Sequence, residues 1–229
     1  DILSQLEQSN EVVSNYQAKP MGHLHISSMV SLGERILLPL LDEFGRLYPD
    51  IILDVSLTDE LSTLSRDDVD IAIRGGYAPN ERVVAIKLMS NHFIPVAAPS
   101  YLANMGRPKS VLELAQHKGI YFRTPNGPTP WLCYLDGQWQ DVSAPQVAVS
   151  NNGGWLAKKA LNGEGIMMAP WWVLTPYIKS GALQELHFEA PLSISQNDDL
   201  AVYLLYQKHR YLVPKVKVAV DFLAARITG

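Results

Sequence analysis

Apolar residues follow two different periods along the chain. Residues 23–27 alternate polar and apolar side chains, as in a half-buried strand. A helix that Pro49 ends is indicated by the spacing of Leu32, Ile36, Leu40, Phe44 and Leu47. Two apolar runs, 51–55 and 69–73, predict further strands, with a short helix at 60–65 between them. Apolar strands that alternate with helices are typical of a parallel sheet covered on both faces.

The same pattern restarts after residue 98. A helix at 111–116 precedes a strand at 119–122, and Asp136-Gly137 predicts a hairpin turn. A strand at 200–206 and an amphipathic helix close the chain. We therefore predict an α/β protein with two Rossmann-like lobes: residues 20–98 with 199–229 form lobe I, and residues 99–198 form lobe II. The chain crosses between the lobes twice, and residues 1–19 are predicted to be the end of a helix.

The composition of the chain disfavours several classes of function. The net charge is −4, whereas a domain that binds nucleic acid by itself usually has a basic surface. The single cysteine, Cys133, excludes an internal disulfide, and a buried inert thiol is favoured over a redox sensor. We find neither a signal-peptide pattern at the start nor an apolar run of about 18 residues, so a cytoplasmic location is expected.

Polar residues follow the strands of lobe I, where open α/β sheets bind ligands. Ser28, close to Ser31, can bind an anion at a helix start, or Ser31 simply caps that helix. Thr58 and Asp59 are either ligand contacts or caps of the next helix. Arg74 can grip a carboxylate, or it forms a scaffold ion pair with Asp59, Asp67 or Asp70.

Lobe II contains a second set of candidate ligand contacts. Arg123 ends a strand and is either a ligand contact or a surface residue. A helix is predicted to begin at Asn151, Asn152 and Gly153. These residues either bind an anion through their backbone amides or simply cap the helix. The lysine-serine ending of a phosphate loop is missing. Trp172, near Pro170, either lines a cleft or packs in the core. His23 and His25 share a strand face, but nothing nearby completes a metal site, so we predict no metal.

Several segments, taken in order, carry a resemblance to a known family. One is Asp70-Ile71-Ala72-Ile73-Arg74-Gly75-Gly76, and the others are 22–27, 38–41, 48–51, 97–102, 106–108, 112–117, 151–153, 163–170 and 212–216. From about residue 20 to the end, the chain resembles the effector-binding domain of bacterial LysR-type transcription regulators. His25, Gln207 and the stretch Asn91-His92-Phe93 depart from the family pattern, which makes the ligand class harder to carry over.

The resemblance implies a fold like that of type 2 periplasmic binding proteins, with an effector bound in a cleft between the lobes. The effector contacts carried over are Ser28, Thr58, Asp59, Ile73, Arg74, Ala98, Pro99, Arg123, Asn151, Asn152, Gly153 and Pro170. Residues 1–19 then correspond to the end of the linker helix, and the winged helix-turn-helix is expected to lie outside this chain. The resemblance also implies homodimers, tetramers in the whole protein, DNA binding only through the missing part, and no cofactor or membrane partner.

Two other classes share parts of this pattern. A solute-binding receptor for transport has the same two-lobed architecture, but the missing export signal and the helical residues 1–19 disfavour it. An enzyme is disfavoured because the sequence has no Gly-x-Ser-x-Gly, His-Glu-x-x-His or phosphate-loop motif. Met29, Met167 and Met168 are flexible enough to fill gaps in a pocket.

Overall fold

The computed structural model describes residues 19–59, 69–76, 83–197 and 199–227. The chain divides into unit 1, Asp1–Ser90 with Ala201–Gly229, and unit 2, Asn91–Leu200. The helices predicted within 1–19 and at 60–65 fall outside the described residues, apart from Lys19, which is not helical.

Fourteen strands are described in these ranges. They are β1 (Gly22–Ser28), β2 (Ile51–Leu57), β3 (Ile71–Gly76), β4 (Val84–Ser90), β5 (Phe93–Ala97), β6 (Gly119–Thr124), β7 (Gly127–Pro128), β8 (Leu132–Leu135), β9 (Gln138–Asp141), β10 (Gln146–Ser150), β11 (Ile166–Pro170), β12 (Gln184–Glu185), β13 (Leu192–Ser193) and β14 (Ala201–Tyr206).

The described α-helices are α1 (Val30–Leu32), α2 (Leu38–Leu47), α3 (Pro99–Met105), α4 (Gly153–Leu161), α5 (Trp171–Lys179) and α6 (Pro214–Ile227). A π-helical segment, Gly33–Leu37, joins α1 to α2. A Cβ atom on Gly33 would lie 2.3 Å from a methyl carbon of Leu57, so glycine permits the close approach of this segment to β2. The segments Val111–Gln116 and Lys208–Leu212 are 3-10 helices.

The sheet of unit 1 is mixed: the three strands whose pattern predicted a parallel sheet, β1, β2 and β3, are parallel as expected, and the antiparallel pairing comes from β14. Its strand order is β2-β1-β3-β14-β4. Strand β1 is parallel to β2 and β3, but β14 is antiparallel to both β3 and β4. The reason lies in the chain path: the return from unit 2 brings Ala201 beside Gly76, at the end of β3, so β14 must run backwards.

The main sheet of unit 2 has the order β10-β6-β11-β5-β12, and a separate sheet has the order β13-β8-β9. Strand β5 is antiparallel to both β11 and β12. The first boundary therefore falls between Ser90 and Asn91 rather than after Ala98, because β5 makes its ladder hydrogen bonds within unit 2. The second boundary falls after Leu200 instead of residue 198.

The core of unit 2 is rich in aromatic residues. The rings of Tyr121 and Trp131 stack with centroids 4.7 Å apart, and the Tyr121 hydroxyl donates to the carbonyl of Ala144 at 2.6 Å. Cys133 is fully buried in this core, and burial raises the pKa of its thiol, which fits the predicted inert state. The hairpin turn is also confirmed: Asp136 and Gly137 have φ angles of 50° and 81°.

Candidate functional site

The carboxyl ends of three neighbouring strands meet at one edge of unit 1. Strand β1 lies between β2 and β3, and Ser28 is in register with both Leu57 and Ile73. The N–H of Thr58 donates to the carbonyl of Ser28 at 2.8 Å. The structure thus brings together five residues that the sequence singled out, namely Ser28, Thr58, Asp59, Ile73 and Arg74. We call them the unit 1 edge cluster.

Arg74 is held against the strands of this cluster. Its Nη2 donates to Oγ of Ser27 at 2.6 Å, and its Nη1 donates to the carbonyl of Ile73 at 2.9 Å. Burial lowers the pKa of Arg74, and the charge of Asp59 partly offsets this effect. The guanidinium nevertheless stays charged at neutral pH, because arginine is basic enough to keep its proton in proteins. The cluster therefore contains a fixed, half-buried cation.

Asp59 caps helix α1, and the helix at 60–65 that it was predicted to cap lies outside the described residues. Its Oδ1 accepts the N–H of Val30 at 3.1 Å, so a carboxylate that follows β2 satisfies the first turn of α1. Ser31, the cap that the sequence predicted, lies inside α1 instead, and Met29 occupies the cap position. Burial raises the pKa of Asp59, while the bond from Val30 and the charge of Arg74 act in the opposite direction.

Met29 was expected to be a gap filler, but the structure gives it a defined contact. Its sulfur accepts the N–H of Gly75 at 3.2 Å, which joins the residue after β1 to the end of β3. The Ser28 side chain is fully buried, and its hydroxyl donates to the carbonyl of Met29 at 3.2 Å. The side chains of Ser28, Asp59 and Arg74 thus each form a hydrogen bond with a residue at this edge of unit 1.

A second cluster lies at one edge of the unit 2 sheet. Strands β10, β6 and β11 are parallel neighbours, so their carboxyl ends share that edge. Asn151, Asn152 and Gly153 follow β10, Arg123 is an exposed residue near the end of β6, and Pro170 ends β11. We call these residues the unit 2 edge cluster. Oδ1 of Asn152 accepts the N–H of Trp155 at 2.8 Å, so the helix-cap interpretation of Asn152 is confirmed.

Ala98 and Pro99 do not belong to this cluster. Strand β5 runs antiparallel to β11, with Phe93 opposite Pro170 and Val96 opposite Met167. The residues after β5 therefore lie at the other edge of the sheet. Ala98 is 2% exposed and precedes α3, and Pro99 is the first residue of that helix. Both residues had been named as effector contacts only because of the family resemblance, not because of a strand that ends beside them.

The sequence had singled out Trp172 near Pro170, and the structure adds Asn91, His92 and Trp171 at the same edge. Nε1 of Trp172 donates to Oδ1 of Asn91 at 2.9 Å, and the N–H of Asn91 donates to the carbonyl of Leu200 at 2.9 Å. The His92 ring stacks on Trp171 at a centroid distance of 5.7 Å. The unusual stretch Asn91-His92-Phe93 was the available signal, but its pairing with α5 depends on the tertiary structure.

Neither a metal cluster nor a membrane span is found in the described ranges. Across them, no three His, Cys, Asp or Glu side chains are arranged to hold a metal ion. The His23 and His25 rings are 6.1 Å apart, and Nδ1 of His25 lies 3.1 Å from Oδ2 of Asp54. No helix within the same ranges is long and apolar enough to cross a membrane.

Two mixed α/β units, joined by two chain crossings, define the class of two-lobed proteins with the type 2 periplasmic-binding-protein-like fold. The sequence model of the LysR substrate binding domain matches residues 17–228. The chain therefore belongs to this family, the ligand-binding regulatory domains of LysR-type transcription regulators.

Individual relatives agree with this assignment. An HTH-type transcriptional regulator of Xanthomonas campestris pv. campestris is 29% identical over 99% of this chain and 65% of its own length. The HTH-type transcriptional activator TtdR of Escherichia coli K12 is 28% identical over 98% of this chain and 71% of its own length. The chain thus spans about two thirds of these relatives. The regulatory domain of CrgA from Neisseria meningitidis, a LysR-type transcriptional regulator, superimposes with a TM-score of 0.78, at 27% identity, over 91% of this chain and all of that chain.

Proposed function

We propose that this chain is the effector-sensing part of a bacterial LysR-type transcription regulator. The observation that carries the proposal is the unit 1 edge cluster, in which hydroxyl, carboxylate and guanidinium groups converge at the carboxyl ends of three parallel strands. This edge is where open α/β sheets bind small molecules.

The effector that suits this cluster carries a carboxylate or a similar acceptor group. Burial lowers the pKa of Arg74, which means that the protein solvates this cation less well than water does. An anionic group beside the guanidinium would replace part of the lost solvation and could bind it in a bidentate manner. The hydroxyl of Thr58 belongs to a residue at the same edge and can add a hydrogen bond.

We further propose that the unit 2 edge cluster completes the site, so that the effector binds in a cleft between the lobes. Binding would then favour one arrangement of the lobes and shift an existing equilibrium. A coupling free energy of about 1–3 kcal/mol between effector and DNA sites is sufficient for a useful switch.

The remaining parts of the proposal concern partners and location. We expect the chain to form homodimers, and the whole protein to form tetramers that bind DNA through a helix-turn-helix part outside this chain. The names of the two curated relatives, both HTH-type regulators, support this assignment. A regulator that acts on DNA would work in the cytoplasm and without catalysis of its own.

The test is thermal unfolding against a panel of aromatic and hydroxy carboxylates. A ligand at 100 times its Kd should stabilise the fold by about 2.7 kcal/mol, which raises Tm by several degrees. Thr58→Ala and Arg74→Ala should reduce this shift without unfolding the protein. Arg46→Ala is a matched control, because Arg46 is exposed in the last turn of α2. Unchanged affinity in both cluster variants would refute the assignment of the site.

A further inference from the structure

A cavity of about 320 Å³ lies within unit 2, and no residue of the unit 2 edge cluster is among those that line it. It arises because the chain changes sheets. Strand β12 pairs with β5 through Glu185, and the N–H of Leu186 donates to the carbonyl of Pro95 at 2.9 Å. The chain then leaves β5 and joins β8 through Leu192. Phe93 and Ile94 of β5 therefore line the cavity together with Leu192 of β13.

The walls of this cavity are mainly apolar. Phe93, Ile94 and Phe188 are partly buried against the unit 2 core, and Leu186 is almost fully buried. Ligand pockets in proteins have volumes of about 300–1,000 Å³ and combine such walls with a few polar groups. The volume is at the small end of this range, so the cavity suits a small molecule with a compact apolar or aromatic body.

The charged residues of the cavity wall indicate which polar group a ligand would carry. The lining residues include one carboxylate, that of Glu185, and no lysine or arginine among the described residues. Backbone pairing with Val96 fixes Glu185 in β12, and its side chain is 32% exposed. Arg107, the neighbouring cation, donates to the Glu185 carbonyl at 3.3 Å and to Oε1 of Gln184 at 2.5 Å. The arginine therefore bonds the backbone and the adjacent amide of β12.

His187 leaves room for a ligand at this carboxylate. Its Nδ1 lies 3.6 Å from Oε1 of Glu185, close enough for an ion pair but beyond hydrogen-bonding distance, and its side chain is 79% exposed. A carboxylate offers about four acceptor positions. The rings of Phe93 and Phe188 add faces that attract cations.

From these observations we infer that the cavity is a second ligand site, specific for small apolar or aromatic amines in their cationic form. Glu185 pairs with the ammonium group, and Phe93, Ile94, Leu186 and Phe188 surround the body of the molecule. The site lies inside unit 2 and does not depend on the effector proposed above.

The test is an NMR titration of the whole chain with benzylamine, benzyl alcohol and phenylacetate, which differ mainly in charge. Benzylamine should shift the amide signals of Phe93, Ile94, Leu186 and Phe188, and the alcohol and the acid should bind at least about tenfold more weakly. Glu185→Gln should weaken benzylamine binding by roughly tenfold, a difference of about 1.4 kcal/mol. Glu189→Gln removes the same charge from an exposed residue nearby that does not line the cavity, and it should leave the affinity unchanged.

Three outcomes would overturn the inference. Phenylacetate could bind as tightly as benzylamine, the two glutamine variants could have equal effects, or benzylamine at millimolar concentration could leave these four amides unshifted. The effector site is tested separately by the Thr58 and Arg74 variants of unit 1, because neither residue lines the cavity.

Discussion

Asp70 offers the sharpest test of the energetics of unit 1. It is only 3% exposed and directly precedes β3. Its Oδ2 accepts the N–H of His25 at 3.1 Å, and its carboxylate lies 3.3 Å from Nη1 of Arg210 and 3.4 Å from Nζ of Lys215. One carboxylate thus connects β1, β3 and the C-terminal helical region.

Asp70→Ala removes all three contacts. Deleting one partner of a buried ion pair typically costs about 3–5 kcal/mol, because the remaining charge is left without compensation. The upper end does not apply here, since the side chains of Arg210 and Lys215 are 29% and 19% exposed and can turn towards water. We expect a loss of about 3 kcal/mol, or roughly 6–12 °C in Tm for a chain of this size. Asp70→Asn keeps an acceptor for His25 and should lose less.

Urea and thermal unfolding, followed by far-UV circular dichroism, measure this loss. All five tryptophans lie in unit 2, so tryptophan fluorescence shows whether unit 2 unfolds together with unit 1. Asp54→Ala is the control: Asp54 also pairs with His25, at 3.1 Å, but its side chain is 59% exposed, and the change should stay below about 0.5 kcal/mol. Equal losses in the two alanine variants would refute the reasoning.

Two further predictions concern unit 2. His117 is buried, its Nδ1 lies 3.1 Å from the Tyr101 hydroxyl, and burial lowers its pKa. Its contribution to stability is therefore fully present above the ordinary histidine pKa of about 6.5 and is lost as the pH falls through the lower folded pKa. Urea unfolding between pH 7 and 5 should show a steeper fall for the wild type than for His117→Gln. Asn152→Ala removes the side-chain cap of α4 and should cost about 1 kcal/mol in thermal unfolding, whereas the exposed neighbour Asn151→Ala should be nearly neutral; equal effects would contradict the cap assignment.

Local patterns predicted most of the described elements. The alternation at 23–27 became β1, and Asp136-Gly137 formed the expected hairpin turn. Helix α6 is the helix predicted to close the chain. These features depend on the chemistry of a few consecutive residues, because side-chain period and turn conformation are local properties.

The unit 1 edge cluster could also be predicted, for a related reason. Once β1, β2 and β3 are recognised as parallel neighbours, the residues that follow them must meet at one edge. Ser28, Thr58 and Arg74 are close together because of strand order alone. What the sequence could not supply was the partner of each side chain, such as Val30 for Asp59 or Ser27 for Arg74.

The sequence by itself determined the family, the α/β class and the residues that end the parallel strands, since all of these depend on order and local pattern along the chain. Only the tertiary structure shows that β5 belongs to unit 2 and runs antiparallel to β11. Ala98 and Pro99 therefore lie at the sheet edge opposite the unit 2 edge cluster. The tertiary structure also decided which basic residues surround Asp70. Strand direction and ion pairing depend on hydrogen bonds and charges between residues that are distant in sequence, and no local period along the chain encodes them.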